Sequence, residues 1–235
     1  MKGKQSDTAV IGLNCSIKDS VKIGENVTIG NNVTIYDNVT IGNNVYIWDN
    51  VVIGKIPMGV ATNFRKLNNR QEPITIGDNC VIACNAIIYC GVNLESNCLI
   101  SENAIIRENT HISHDVIIGG NALIQYEVNI ESGTRILNNS IISSKSRIGK
   151  NNFISWGFTS VSDKAFGGKG YTDDIIGPII GNNNHIGPNV TMLSNIEIGN
   201  GNIIGACALI SKSIGNNGVY YGIPAKFVKE NKSDI

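Results

Sequence analysis

Residues 21–54 read VKIGENVTIGNNVTIYDNVTIGNNVYIWDNVVIG. An isoleucine returns at every sixth position: Ile23, Ile29, Ile35, Ile41, Ile47 and Ile53. A slim β-branched residue stands two places before each from Val27 onward, as in Val33, Val39 and Val45. Glycine often follows the isoleucine, and Asn and Asp fill the places between. The metre starts earlier, at Ile11 and Ile17. It resumes at Ile76 and runs to Ile154 with Leu94 the only substitute, then from Ile180 to Ile210 with Met192 the only substitute. A fixed short period over most of a chain is the signature of a solenoid.

The period fixes the kind of solenoid. A short strand and a corner use about six residues, and three such units close a triangular turn of about 18. The isoleucine points inward and stacks on its counterparts one turn above and below. The residue two places before it also points inward, close to a corner, where only a slim side chain fits. Asn, Asp and Gly tolerate the left-handed backbone of a tight corner. Apolar residues spaced only by six make no stripe on a 3.6-residue helix, and sandwich strands are not metered this strictly.

These units resemble the hexapeptide pattern [LIV]-[GAED]-x-x-[STAV]-x of the left-handed parallel β-helix family. The resemblance covers residues 11–215 and implies an all-β, left-handed parallel β-helix of roughly nine turns. It also implies acyl transfer from coenzyme A or an acyl carrier protein, and a homotrimer with active sites between subunits. The unbroken metre argues for a single hexapeptide-repeat domain over residues 1–235.

Composition narrows the partners. There are 19 basic and 19 acidic residues, so net charge is zero and no basic stripe offers itself to nucleic acid. No apolar run is long enough to span a membrane, and residues 1–7 carry no signal-peptide pattern. A cytoplasmic protein is expected. Of the six cysteines, Cys15, Cys80 and Cys98 take the slim inward place, where the thiol acts as a small apolar group. Cys84 and Cys90 take outward places, and no CxxC spacing points to zinc or redox chemistry.

The metre breaks twice, at 55–73 (KIPMGVATNFRKLNNRQEP) and at 157–178 (GFTSVSDKAFGGKGYTDDIIGP). A rigid solenoid that leaves its prism for about 20 residues usually does so for binding. Arg65, Lys66 and Arg70 in the first insertion suit a nucleotide diphosphate. After Ile210 the tail, 216–235, contains GVYYGIPAKFVKE. Its Gly222, Pro224, Ala225 and Lys226 resemble the G-x-P-A-K ending of many hexapeptide acyltransferases. Pro224 suits a first helical position, so a short helical cap over the last sheet edge is expected.

Only three histidines occur, His111, His114 and His185. His114 takes an outward place. The segment His111-Ile-Ser-His114-Asp115-Val-Ile-Ile-Gly119 resembles the H-I-A-H-D-C-x-x-G segment of the lipid A UDP-N-acetylglucosamine acyltransferase, in the same phase. The end of the first insertion, Gln71-Glu72-Pro73-Ile74-Thr75-Ile76-Gly77, resembles the exit of that enzyme's substrate loop. A similar H-[DE] pair supplies the base in nucleotide-sugar N-acetyltransferases. The resemblance puts the general base on His114 and a substrate-binding role on His111. Acyl transfer needs a base of near-neutral pKa and a donor for the tetrahedral oxyanion. Gly133 stands where the lipid A enzyme has another histidine, and its C-terminal helical domain has no counterpart here. Both differences favour a short acyl group, with acetyl-CoA as donor and no metal.

Counting units predicts that those beginning at Ile112, Ile130, Ile148, Ile186 and Ile204 share one face. Gly149, Gly187 and Gly205 would then form a column beside which a pantetheine arm could lie. Lys212 just beyond, and Lys226 in the tail, would meet coenzyme phosphates. The expected activity is N-acetylation of a nucleotide-linked amino sugar for a surface glycan. Two alternatives remain open: O-acetylation of a sugar hydroxyl, and a non-catalytic β-helix scaffold. A γ-class carbonic anhydrase would need three histidines around one zinc. Here two lie three residues apart in one turn and the third lies about three turns, or 14 Å, away.

Overall fold

The computed structural model describes residues 7–59, 67, 70–163, 165, 168 and 175–232. Among them there is no helix. The strands are mostly two residues long and form three stacks of 12, 10 and 9, parallel but for one last strand. The stacks are the three walls of a triangular prism, a left-handed parallel β-helix of about 11 turns. Partners in neighbouring strands are isoleucines: Ile23 pairs with Ile41, Ile29 with Ile47, and Ile35 with Ile53.

The walls are called A, B and C; the chain cycles through them in that order, entering at wall B. Wall A holds Ile23, Ile41, Ile76, Leu94, Ile112, Ile130, Ile148, Ile180 and Ile198. Wall B runs from Ile11 through Ile100, Ile118 and Ile154 to Ile204, and wall C from Ile17 through Ile106 and Ile142 to Ile210. The inward isoleucines and slim residues make one continuous core; Ile35, Ile82, Ile106, Val33 and Ala104 have no exposed surface. Burying each isoleucine is worth about 1.5–3 kcal/mol. Cys80 and Cys98 lie in that core, donating their thiols to the carbonyls of Glu95 and Ser113 at 3.1 Å.

Corners explain the asparagines. Nearly every corner residue two before the strand has positive φ, as in Asn26 (54°), Asn44 (55°), Asn79 (58°) and Asn97 (60°). Asn accepts this conformation more readily than most side chains. Its amide then finds the next turn: Asn26 donates to Asn44, Asn44 to Asn79 and Asn79 to Asn97, each at 3.2 Å.

Three expectations are corrected. The second insertion begins later than residue 157. Gly157 turns a corner at φ 69°, Phe158 is fully buried, and Thr159–Ser160 forms a wall C strand pairing with Ile141 and Thr191–Met192. Ser160 occupies an isoleucine's place, so the metre hides this rung. Its presence, with added pairing near Ile214 and Tyr220, raises the turn count above nine. The hidden rung also shifts the register: Ile180 stacks on Ile148 in wall A, and Ile186 and Ile204 belong to wall B. Finally, the C-terminal cap is a hairpin. Gly218–Tyr221 joins wall B and pairs antiparallel with Lys226–Glu230. Pro224 lies in the turn, after Gly222 at φ 98°. The aromatic and β-branched residues on either side favour strands, and Tyr220 packs edge-on against Phe227 at 5.7 Å.

Both insertions leave wall C and return to wall A. The first leaves after Lys55 and re-enters at Ile74; the second leaves after Ser160 and re-enters at Ile179. Both therefore interrupt the solenoid at the same edge of the prism. The outward side chains of wall A between them are Asn93, His111, Asn129 and Arg147.

Candidate active site

His114 and Asp115 occupy the corner between walls A and B, directly after the strand His111–Ile112. Both side chains are more than half exposed. Nδ1 of His114 lies 2.8 Å from Oδ2 of Asp115. Bonding to His114 is the main cause that holds the Asp115 carboxyl below its ordinary range, with Asn97 adding to it. The ionised carboxylate accepts the Nδ1 proton, which leaves the Nε2 lone pair free to take a proton from an acceptor.

The amide ladder explains why an acid stands at 115. Each corner Asn gives its amide to the carbonyl oxygen above. The run Asn26–Asn44–Asn79–Asn97 stands directly below Asp115, and the next corner residue is Gly133. The top member need only accept, which an aspartate does. Its second oxygen is then available to His114. Asp115 keeps the corner conformation at φ 61°. One residue thus turns the chain, ends the ladder and orients the imidazole.

His111 points outward from wall A. Its Nδ1 lies 3.1 Å from the Asn93 amide nitrogen, and its Nε2 lies 3.4 Å from Oε1 of Glu95 and 3.3 Å from Oγ of Ser113. The first insertion re-enters wall A at the strand Ile74–Ile76, two strands before that of His111. Two strand spacings are about 10 Å. Arg70 stands near that re-entry, where its carbonyl oxygen receives the thiol of the buried Cys90. Cys90 is outward by sequence and is buried by the returning insertion. Arg65 and Lys66 lie outside the described residues. Beside the insertion, Arg107 makes a two-point contact with the buried Glu108 at 2.8 and 3.2 Å and stacks over Tyr89.

The expected glycine column is not one column. Gly149 stacks beneath Gly181, and Gly181 beneath Gly199, on the corner that carries His114. Gly187 and Gly205 follow wall B, on the next corner. A side chain at Gly205 would run into the ring of Tyr221, so the hairpin covers that glycine. Lys212 follows wall C, and Lys226 opens the last strand; both are exposed. His185 lies on wall B, stacked with Phe153 at 6.4 Å between centroids. Among the described residues no three His, Cys, Asp or Glu side chains form a metal site. No helix among them is long and apolar enough to cross a membrane.

A cavity of about 600 Å³ opens at the first turn, between Ile11, Ile17 and Ile23, well away from His114. A second, of about 500 Å³, lies beside the hairpin. Neither includes the histidines.

Residues 20–55 and 177–212 match the family model described as bacterial transferase hexapeptide (six repeats), and residues 73–108 match the hexapeptide repeat of succinyl-transferase. With walls built from those repeats, the chain is similar to the hexapeptide-repeat acyltransferases. A probable macrolide acetyltransferase of Lysinibacillus sphaericus is 45% identical over 56 residues, which are 24% of this chain and 31% of that protein. The chain therefore spans less than a third of this curated relative. The UDP-N-acetylglucosamine acyltransferase from Campylobacter jejuni is 18% identical, with a TM-score of 0.38 over 98% of this chain and 73% of its own. The polySia-specific acetyltransferase NeuO is 16% identical, with a TM-score of 0.36 over 98% and 90%.

Proposed function

We propose that this protein is an acyltransferase that moves an acetyl group from acetyl-CoA to an amino sugar linked to a nucleotide, in the cytoplasm, for a surface glycan. The observation that carries the reading is the His114–Asp115 pair on the outside of a hexapeptide-repeat coil. Its imidazole is oriented by a carboxylate and presents a free Nε2. His114 removes a proton from the acceptor amine as the nitrogen attacks the thioester carbon. The tetrahedral intermediate then collapses and expels the coenzyme thiolate, which takes up the proton. The acceptor's nucleotide diphosphate meets Arg65, Lys66 and Arg70 of the first insertion, and His111 borders the sugar. The pantetheine arm follows Gly149, Gly181 and Gly199, where bare backbone allows close approach. Lys212 and Lys226 lie toward the coenzyme's phosphate end.

The protein works as a homotrimer. Wall A is polar outside at the height of His111, with Thr75, Asn93, Asn129 and Arg147, whereas walls B and C carry apolar rows at matching heights: Val81, Leu99 and Ile117 on B, and Ile87, Ile105 and Leu123 on C. A cyclic assembly needs two different, complementary surfaces on each copy, and these rows supply them. Wall B of one copy against wall C of the next sets His114 beside the edge that carries the neighbour's insertions. Such a groove has the concave walls that a single prism lacks.

The test is acetyl-CoA turnover with UDP-linked amino sugars, the matching sugar alcohols, and no acceptor. His114→Ala lowers kcat by about 10²–10⁴, the usual worth of a positioned base, and leaves the trimer mass unchanged. Neutralising Arg65, Lys66 and Arg70 raises the KM for the sugar nucleotide and spares that for acetyl-CoA. Absence of turnover with every acceptor would favour a scaffold, and a monomeric mass would remove the shared groove.

A further inference from the structure

We infer that Glu95 is a positioning residue for His114, and that His111 influences the base through it. This rests on the assignment of His114 as the base. The place after the inward residue of wall A is glycine in six turns: Gly24, Gly42, Gly77, Gly149, Gly181 and Gly199. It is Glu95, Ser113 and Glu131 in three successive turns centred on His114. Departure from glycine is thus confined to the turns around the imidazole.

A second regularity breaks at the same height. On this corner the backbone N–H two residues after the inward residue is capped by the side chain at the same place one turn up. Glu25 N–H donates to Asn43, Asn43 to Asp78, and Asp78 to Ser96, at 2.8, 2.6 and 3.2 Å. Beyond the site the pattern resumes, with Lys150 donating to Asn182, Asn182 to Asn200, and Asn200 to Asn216, each at 2.7 Å. His114 holds this place in its own turn. Its ring is bonded to Asp115 rather than serving as a cap. Its own N–H is taken from the turn below, by Oε2 of Glu95 at 3.0 Å. Glu95 therefore fixes the backbone of the histidine without occupying the space above it, where substrate must come.

The other oxygen of Glu95 faces Nε2 of His111 at 3.4 Å. The Asn93 amide donates to Nδ1 of His111, so the His111 proton sits on Nε2 and points at Glu95 and Ser113. With one ring nitrogen receiving a proton and the other presenting one inward, His111 has no lone pair for the acceptor. The carboxylates nearest the chain are Asp115, bonded to His114, and Glu131 one turn up, which accepts from the Asn129 amide at 2.8 Å. His111 is thus a brace for Glu95, and the line Asn93–His111–Glu95 ends on the His114 backbone.

Glu95→Gln tests this because glutamine has only one acceptor oxygen for two donors. In the uniformly ¹⁵N-labelled trimer, the His114 amide signal and the two imidazole nitrogens of His111 are followed by NMR. Either His114 keeps the oxygen and the His111 proton moves from Nε2 to Nδ1, or His111 keeps it and the His114 amide loses its charge-assisted bond and moves upfield. Turnover falls about tenfold, since a bond to a charged group is lost, while the KM for acetyl-CoA is unchanged. Glu95→Gly, which installs the residue that six other turns of this wall use, keeps the fold, moves the His114 amide signal upfield and gives the same loss of rate. Unmoved signals in both variants, or unmoved kcat in either, overturn the assignment. The NMR signals are read without turnover, so an inactive wild type refutes the proposed reaction and not the link from Glu95 to His114.

Discussion

Asp115→Asn is the sharpest perturbation of the site, because the amide ladder below it argues which way the new amide faces. Asn97 is the ladder member directly below 115, and its side chain helps hold the Asp115 carboxyl low. An asparagine at 115 that joins the ladder as the others do turns its carbonyl oxygen down toward the Asn97 amide. The NH2 group is then left facing Nδ1 of His114. It donates where the aspartate accepted, so the imidazole proton shifts to Nε2 and the base has no lone pair for the acceptor. A wrong tautomer of this kind costs about 10⁴ in kcat where it has been imposed on another catalytic histidine. We expect a fall of about 10³–10⁴, on the order of the loss for His114→Ala. Asn suits the corner backbone at φ 61° as well as Asp does, and 115 lies on the surface, so thermal unfolding should move little. Asp115→Ala leaves water to choose the tautomer and should be less damaging than the isosteric change, despite the strain of a left-handed alanine of about 1–2 kcal/mol. The assay is loss of thioester absorbance at saturating acceptor, with imidazole ¹⁵N shifts reporting the tautomer. If Asp115→Asn kept kcat within about threefold, or if Asp115→Ala were the worse, the oriented-tautomer reasoning would be refuted.

Other outcomes follow from the same geometry. Ile106→Ala, in a position with no exposed surface, should cost about 2–5 kcal/mol of stability, read by denaturant unfolding. Gly77→Ala should also destabilise, since its Cβ would lie 2.6 Å from the Ser96 nitrogen and 2.7 Å from the Glu95 carbonyl carbon; a wild-type midpoint would contradict this. Asp115 should hold its charge below the ordinary carboxylate range, chiefly through its bond to His114. Its depressed pKa contributes stability above about pH 4 that is lost as pH falls through the folded value. A carboxyl ¹³C titration should show the depression, and His114→Ala should reduce it. Cys207 is exposed while Cys80, Cys90 and Cys98 are buried, so a maleimide should label Cys207 in the native protein and spare those three.

The prism was readable from the sequence because its core uses one residue type at one spacing. The rung at Thr159–Ser160 was not, because a serine stands where isoleucine is expected and the next loop follows at once. That one hidden rung carried the coenzyme column off course, from Gly181 and Gly199 to Gly187 and Gly205. The cap is ambiguous in sequence because Pro224 suits a helix start and a turn equally well. The strand pairing of Tyr220 with Phe227 depends on a wall that the local sequence does not show. His114 stood out by its outward place and its neighbour Asp115. Glu95 and Asn97 did not, since their contacts join residues 18 or 19 apart. They become legible once the column is read vertically, where Glu95 interrupts glycines and Asp115 ends a run of asparagines.

The shared exit edge of the two insertions has a consequence in polymer terms. An ordinary turn brings back residues 18 apart, whereas the first insertion stretches that return to 35 and the second to 32. Nearly doubling the length of a chain closure costs only about 0.6 kcal/mol, because the entropy grows with the logarithm of length. Strand pairing above and below each insertion is kept on all three walls. The edge therefore behaves as a cloning site within the solenoid: segments of different length and chemistry can be exchanged there at little thermodynamic expense, while the histidine on the opposite corner of wall A keeps its geometry.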